Sequence, residues 1–180
     1  MSTVRSHVFC NRNGLLVTHV QVPVEYYLEC NFSGHCRMYF PDGNRYEESE
    51  GRSSRDDLCF LFLSGTTGDM GLLSMGYTLA ESIVEEEGIL RKTFKNKGSE
   101  VILVLRNYLP IYLEYHNSFK QILGKIYLSD YQPAGSLFFP HRKTEISYIS
   151  KKDSVVIRTL YSNVAVDADD PLKDYKFPSR

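Results

Sequence analysis

The stretch from Leu58 to Gly88 constrains the fold most, because an apolar run, a glycine-rich turn and a helical spacing follow one another within it. Six consecutive apolar residues, Leu58 to Leu63, are typical of a strand buried on both faces. Apolar residues then recur three or four positions apart, at Leu72, Met75, Leu79 and Ile83. This spacing predicts a firm helix over about residues 70–87. The stretch therefore predicts a buried strand, a turn and an amphipathic helix.

The turn within this stretch carries Gly65, Gly68 and Gly71. Their spacing resembles the glycine turn of extended short-chain dehydrogenases and other dinucleotide-binding domains. That resemblance implies a nucleotide- or phosphate-binding protein or enzyme whose glycines approach a pyrophosphate at a helix N-terminus. The simpler interpretation is a connecting turn in which the Asp69 carboxylate accepts the free amide hydrogens. We favour that interpretation and predict no cofactor.

Composition narrows the class of protein. The chain has 180 residues, with 42% apolar and 24% charged, which is enough for one domain with a real core. A net charge of -1 gives no global attraction for nucleic acid or anionic membranes. The first residues lack the apolar core of a signal peptide and the four cysteines form no dense framework. We therefore expect a cytoplasmic or nuclear protein with free thiols.

Residues 6 to 50 read as β-hairpins. Turn chemistry recurs at Asn11 to Gly14, at Ser33-Gly34 and at Pro41 to Asn44. The hairpin from Gly34 to Glu48 resembles one unit of the MORN-type repeats, although one further weak copy does not make an array. Residues 47–57 are polar and small, which predicts an exposed loop.

Metal binding deserves a test in this region because several ligand-type residues fall within it, namely Cys10, Cys30, His35 and Cys36. Their spacing does not match a zinc knuckle, and the chain has no Cys-x-x-Cys pair. We predict no metal site.

The second half of the chain predicts further strands at residues 101–105, 111–115 and 155–161, with a second helix at about 118–128. From residue 167 the sequence is polar, which predicts a disordered tail over 167–180. Together the patterns predict an α+β fold: a single domain over residues 1–166, largely antiparallel hairpins and a meander, with one firm helix and a probable second one.

A basic run sits where a loop is expected, at Arg91, Lys92, Lys95 and Lys97. It could be a solvated turn that balances Glu85 to Glu87, or a contact for nucleic acid or an anionic membrane. The second reading stays open as an alternative function.

No catalytic motif is present in the sequence, so we expect a non-catalytic protein. Tyrosine is frequent, at 13 residues, and aromatic side chains are enriched at interfaces. The sequence therefore predicts an interaction or assembly subunit, cellular or viral, that binds a protein partner or itself. The candidate interface residues are Tyr26, Tyr27, Tyr39, Tyr108 and Tyr112.

Overall fold

Two antiparallel sheets, one of five strands and one of seven, account for most of the chain. The computed structural model describes residues 3–50, 57–150, 153–166 and 169–178. The chain divides into two units, residues 1–64 with 167–180, and residues 65–166, each of which contains one sheet. The single-domain organisation expected for residues 1–166 stays a prediction.

The first unit is a five-stranded meander in which each strand pairs with the next in the sequence. The strands are β1 (Arg5–Cys10), β2 (Leu16–Val22), β3 (Tyr26–Cys30), β4 (His35–Phe40) and β5 (Arg45–Glu50). The turns predicted from local chemistry are confirmed. The Asn11 side chain accepts the amide hydrogens of Asn13 and Leu15, and the Asn44 amide donates to the Pro41 carbonyl at 3.3 Å.

The core of this unit contains a disulfide between Cys30 and Cys36, which are directly paired residues of β3 and β4. Both cysteines are buried with Leu16, and Cys10 and Leu28 pack against this cluster. The expectation that all four cysteines are free thiols is therefore wrong for this pair.

The described part of the chain end, residues 169–178, contacts the five-stranded sheet. The Tyr175 ring stacks on Tyr27 with the two centroids 4.3 Å apart, and the His7 Nε2 atom lies 2.7 Å from a carboxylate oxygen of Asp170. Leu172, which lies between Asp170 and Tyr175 in the sequence, is buried. Residues 51–56, which make up most of the predicted loop at 47–57, lie outside the described residues, and residues 47–50 belong to β5.

The second unit is a seven-stranded antiparallel meander, with β6 and β12 at its edges. Its strands are β6 (Thr78–Glu86), β7 (Ile89–Lys95), β8 (Ser99–Arg106), β9 (Leu109–Asn117), β10 (Ile122–Ala134), β11 (Leu137–Tyr148) and β12 (Ser154–Leu160). A short 3-10 helix, Thr66–Gly68, and a series of turns precede β6.

The α+β prediction is wrong, because the described residues are mostly antiparallel strand. The apolar run predicted as a strand forms the chain's α-helix, α1 (Leu58–Leu63), within the described residues. Its N-terminus is capped by Asp57, whose carboxylate accepts the Cys59 amide hydrogen at 2.9 Å. Leu58, Leu61 and Phe62 are buried, which is the spacing of one helical face.

Both predicted helices are also wrong. Residues 70–76 form turns, in which the Tyr77 amide donates to the Leu72 carbonyl, and the rest of the first predicted helix is the edge strand β6. Residues 118–128 form a turn capped by Asn117 and the start of β10. β-branched residues such as Ile83, Val84 and Ile126 favour strands when a neighbouring strand is available for pairing.

Candidate functional site

A row of side chains crosses most of the seven-stranded sheet on one face. Directly paired residues of adjacent strands point to the same side of a sheet. The strand pairing therefore forms one row of five side chains, one from each of β8 to β12: Leu103, Leu113, Ile126, Glu145 and Ile157. A second row runs parallel to it through Phe94, Val101, Tyr115, Gly124, Ser147 and Val155. We call the surface formed by these two rows the apolar face.

The apolar face is closed on one side and open on the other. Leu103 and Leu113, on β8 and β9, are 0% and 1% exposed. Val155 and Ile157, on the edge strand β12, are 45% and 52% exposed. The face therefore continues from a packed core to a strip of uncovered aliphatic side chains, which we call the open end.

A segment before β6 lies against the closed side. Lys92 projects from β7 on the apolar face, because it pairs with Leu103, and its ammonium donates to the Gly68 carbonyl at 2.7 Å. The 3-10 helix that ends at Gly68 contacts β9. Met70 and Leu72, further along the same segment, are buried.

One ion pair interrupts the open end. Lys143 pairs with Leu128, and Glu145 pairs with Ile126, so both charged side chains share the apolar face. The Lys143 ammonium lies 3.3 Å from a Glu145 carboxylate oxygen. Polar and apolar groups are therefore available on the same open surface.

The opposite face of the sheet carries a polar cluster organised around Glu114, with aliphatic residues such as Val104 and Val156 on the same face. Its carboxylate accepts hydrogen bonds from the Tyr112 hydroxyl and from Lys125 at 3.2 Å, and the His116 Nε2 atom lies 2.6 Å away. Burial opposes ionisation of Glu114, but the hydrogen bonds from these three residues outweigh it and lower the pKa of the carboxyl group. Burial and the same carboxylate raise the pKa of the Tyr112 hydroxyl.

The Glu114 carboxylate is held by three neighbouring side chains, those of Tyr112, His116 and Lys125. The Nδ1 atom of His116 is buried and has no hydrogen-bond partner among the described residues. Because the remaining polar atoms of the cluster are bonded to each other, we assign it a structural role on β9 and β10.

In the glycine turn, the Asp69 carboxylate occupies part of the amides that a ligand could use. Gly65 lies at the start of the 3-10 helix, Gly68 ends it, and Gly71 follows in the next turn. The Asp69 carboxylate accepts the amide hydrogens of Gly71 and Leu73 at 3.3 and 3.2 Å, as the sequence suggested. A carboxylate that accepts these amide hydrogens competes with a phosphate for them.

The basic run is divided between different surfaces and partners. Arg91 and Lys92 project from opposite faces of β7, since they pair with Val104 and Leu103. The Arg91 guanidinium lies 3.5 Å from Glu85, and the Lys95 ammonium lies 3.2 Å from Glu100. Lys97 belongs to the turn that follows β7.

The predicted interface tyrosines are also spread over both units. Tyr26, Tyr27 and Tyr39 belong to the five-stranded sheet, where their rings contact Phe40, Tyr175 and Tyr46, respectively. In the other unit, Tyr108 is 86% exposed in the turn between β8 and β9, whereas Tyr112 belongs to the Glu114 cluster. Three of these residues therefore lie in the first unit and two in the second, and within the second unit Tyr108 and Tyr112 have different surroundings.

The cysteines that suggested a metal site in the first unit are not available as a set of ligands. Cys30 and Cys36 are joined in the disulfide and so cannot serve as thiolate ligands. Within residues 3–50, 57–150, 153–166 and 169–178, no cluster of three or more His, Cys, Asp or Glu residues could hold a metal ion. Across the same residues, no helix has the length and apolar character needed to cross a bilayer.

The two-sheet arrangement is similar to solved structures. A LolA superfamily protein from Nitrosomonas europaea matches with a TM-score of 0.58 and 14% identity, over 94% of this chain and 80% of that one. A DUF1329 family protein from Desulfovibrio piger matches with a TM-score of 0.57 and 12% identity, over 95% and 79%. A domain assigned to outer membrane lipoprotein sorting, from Vibrio parahaemolyticus, matches with a TM-score of 0.55 and 11% identity, over 95% and 80%.

The chain therefore has a LolA-like fold. No family model matches the sequence, and no curated protein matches it either. At these low identities the structural similarity establishes the fold and no more.

These findings correct the predicted function and location. The generic interaction or assembly subunit is not supported, because the similar structures are a LolA superfamily protein, a DUF1329 family protein and a lipoprotein-sorting domain. None of the three is described as a nucleic-acid binder. The cytoplasmic or nuclear location is likewise overturned, by those similarities and by the Cys30–Cys36 disulfide, a bond that persists in oxidising compartments.

Sequence reasoning missed the apolar face. Its signal was the alternation Gly124, Ile126, Leu128, which places every second residue of β10 on that face. Ile126 also fits a helical spacing with Phe119, Ile122 and Leu123, and that pattern led to the wrong helix at 118–128.

Proposed function

We propose that this protein binds the acyl chain of a lipid or lipid-modified polypeptide on the apolar face of its seven-stranded sheet. The fold likeness spans 94–95% of the chain, and one of the similar structures is assigned to lipoprotein sorting. The disulfide supports an oxidising compartment outside the cytoplasm as the place where this occurs. The protein acts in this proposal as a carrier or receptor and performs no chemical reaction on the ligand.

The observation that carries the proposal is the open end of the apolar face. Ile157 continues the row of Leu113 and Ile126, but about half of its side-chain surface is uncovered. Val155 extends the neighbouring row in the same way. An acyl chain laid along these rows would remove apolar surface from water, at roughly 0.8 kcal/mol for each methylene buried.

The flexible tail of an acyl ligand also fits the shape of this surface. The rows run across strands, whose spacing is roughly 4.8 Å. Leu103 and Leu113 are buried, so the accessible part of the rows runs from β10 to β12, a path on the order of 10 Å. Part of an acyl chain would lie along this path, and the rest would extend beyond it.

Adjacent residues on β12 give a matched test. Ile157 and Val156 are 52% and 46% exposed, but they point to opposite faces of the same edge strand. We expect Ile157→Glu to weaken binding of dansyl-undecanoic acid about tenfold, since it places a charge in the acyl path, and Val156→Glu to leave binding within about twofold. Fluorescence titration measures both affinities.

Two results would count against the proposal. One is an absence of saturable dansyl-undecanoic acid binding by the unmodified protein. The other is an equal loss of affinity in both variants, which would indicate a general effect on the edge strand instead of a site on one face.

A further inference from the structure

The open end of the apolar face is built of alternating apolar and charged rows. On β10 the face carries Ile126, which is half-buried, and Leu128, which is buried, and on β12 it carries the exposed Val155 and Ile157. Between them, β11 contributes the oppositely charged pair Lys143 and Glu145: Lys143 is paired with Leu128 and Thr159, and Glu145 with Ile126 and Ile157. The charged strip of β11 thus lies between a mostly covered aliphatic strip on β10 and an uncovered one on β12.

The charged strip is only partly hydrated. The side chains of Lys143 and Glu145 are 24% and 35% exposed, and their ammonium and carboxylate groups lie 3.3 Å apart. Lys143 has three N–H donors and Glu145 has two acceptor oxygens, so one contact between them leaves further donors and acceptors to be satisfied. A ligand that covers this face has to replace the water on both groups or lose affinity.

Charge complementarity determines which head group can replace the water on Lys143 and Glu145. The pair has no net charge, so it offers little attraction to a head group with one charge, but it presents a positive and a negative pole side by side. A zwitterionic phosphoester has the complementary poles, with a phosphate for Lys143 and an ammonium for Glu145.

We infer that the lipid bound on the apolar face is a zwitterionic phospholipid, whose phosphate and ammonium groups pair with Lys143 and Glu145. This inference rests on the proposed function, because it names the head group of the acyl ligand. The acyl chain then lies beside the ion pair, along Ile126 on one side or Ile157 on the other.

The test compares dodecanoyl compounds that share one chain and differ in the head group: lysophosphatidylethanolamine, lysophosphatidic acid, monoacylglycerol and the fatty acid. Each displaces dansyl-undecanoic acid from the unmodified protein at concentrations below micelle formation. We expect the zwitterionic compound to bind about tenfold more tightly than the anionic and neutral ones.

Single charge variants provide a second readout. Lys143→Gln leaves Glu145 alone and shifts the preference toward a cationic amphiphile such as dodecylamine. Glu145→Gln leaves Lys143 alone and shifts it toward the fatty acid. Arg142→Gln is the matched control, since Arg142 is the adjacent residue of β11 on the opposite face, where it lies 3.5 Å from Asp130.

The outcomes separate the inference from the proposed function. If no dodecanoyl compound displaces the probe and the probe itself does not bind, the proposed function fails. If all four compounds displace it equally, or if the anionic ones bind best, acyl binding stands and the zwitterionic head group is overturned. A head-group preference that Arg142→Gln alters as much as Lys143→Gln also overturns it.

Discussion

Leu113 and Ile157 lie in one row on one face of the seven-stranded sheet, yet Leu113 is 1% exposed and Ile157 is 52% exposed. The row passes from one to the other through Ile126 and Glu145. Since the side chains are of the same aliphatic type, the difference lies in what covers them. The protein keeps apolar surface uncovered at one end of a face that is fully packed at the other.

This difference predicts unequal contributions to stability. We expect Leu113→Ala to lower the free energy of unfolding by about 3 kcal/mol, because it leaves a cavity in packed surroundings. Ile157→Ala should lower it by less than about 1 kcal/mol, since half of that side chain contacts water already. Urea unfolding followed by circular dichroism measures both. Equal losses would mean that Ile157 is covered in the protein itself.

The Glu114 cluster predicts a loss of stability in acid. The pKa of the Glu114 carboxyl group is lower in the folded protein than in the unfolded chain, where it is about 4.5. The ionised carboxylate therefore stabilises the fold at pH values above 4.5. That contribution disappears as the pH falls through the lowered pKa of the folded state.

We expect Glu114→Gln to reduce the free energy of unfolding by about 2 kcal/mol at pH 7, because Lys125 and Tyr112 lose an ionised acceptor. The difference between the two proteins should shrink as the pH falls from 5 to 3. Urea unfolding at pH 7, 5 and 3 is the measurement, and a constant difference across that range would contradict the assignment.

The disulfide predicts sensitivity to reductants. Reduction of Cys30–Cys36 should lower the free energy of unfolding by about 2 kcal/mol, because the bond closes a short loop in the unfolded chain. The control is the double variant Cys30→Ser with Cys36→Ser, whose stability should not respond to dithiothreitol. A response of that variant equal to the one in the unmodified protein would assign the effect to another group.

Two glycines in hairpin turns predict different losses of stability when each is replaced by alanine. Gly14 and Gly43 both have a positive φ, +85° and +81°. A Cβ atom at Gly14 would lie 2.3 Å from the Phe32 ring, which in turn packs edge-on against Phe60, whereas a Cβ atom at Gly43 would meet nothing within 4 Å.

We therefore expect Gly43→Ala to lower the free energy of unfolding by about 1 kcal/mol, the cost of the left-handed backbone alone. Gly14→Ala should lower it by about 3 kcal/mol, because the Phe32 ring must also move. Thermal and urea unfolding of both variants give the comparison, and a smaller effect at Gly14 than at Gly43 would refute the contact.

The hairpins of the first unit could be predicted because short-range chemistry specifies them. The turns at Asn11 to Gly14 and at Pro41 to Asn44 need only the side-chain acceptors and the positive φ that those residues supply. Neighbouring strands then pair without any information from distant parts of the chain.

The central stretch could not be assigned from the sequence because two periodicities coexist in it. Leu58 to Leu63 is apolar throughout, so it fits a buried strand as well as a helix, and only the Asp57 cap favours the helix. Leu79 and Ile83 have helical spacing, but they lie in β6, where the pairing with β7 decides the conformation.

The apolar face depends on register between distant segments. Ile126, Glu145 and Ile157 become neighbours only after β10, β11 and β12 pair at one specific alignment, and a slip of one residue would send each to the other face. For that reason Lys92 is the one predicted site residue that lies on this face, and neither Gly65 to Gly71 nor the five tyrosines belong to it.

The most direct test of the central claim uses the absence of tryptophan from the chain. Ile157→Trp places a single fluorophore on the apolar face, and Val156→Trp places one on the opposite face of the same strand. Titration with dibromostearic acid, whose bromines quench only nearby indole rings, should strongly quench the tryptophan at position 157 and leave the one at position 156 nearly unchanged. Equal quenching at both positions, or none at position 157, would contradict acyl-chain binding on the apolar face.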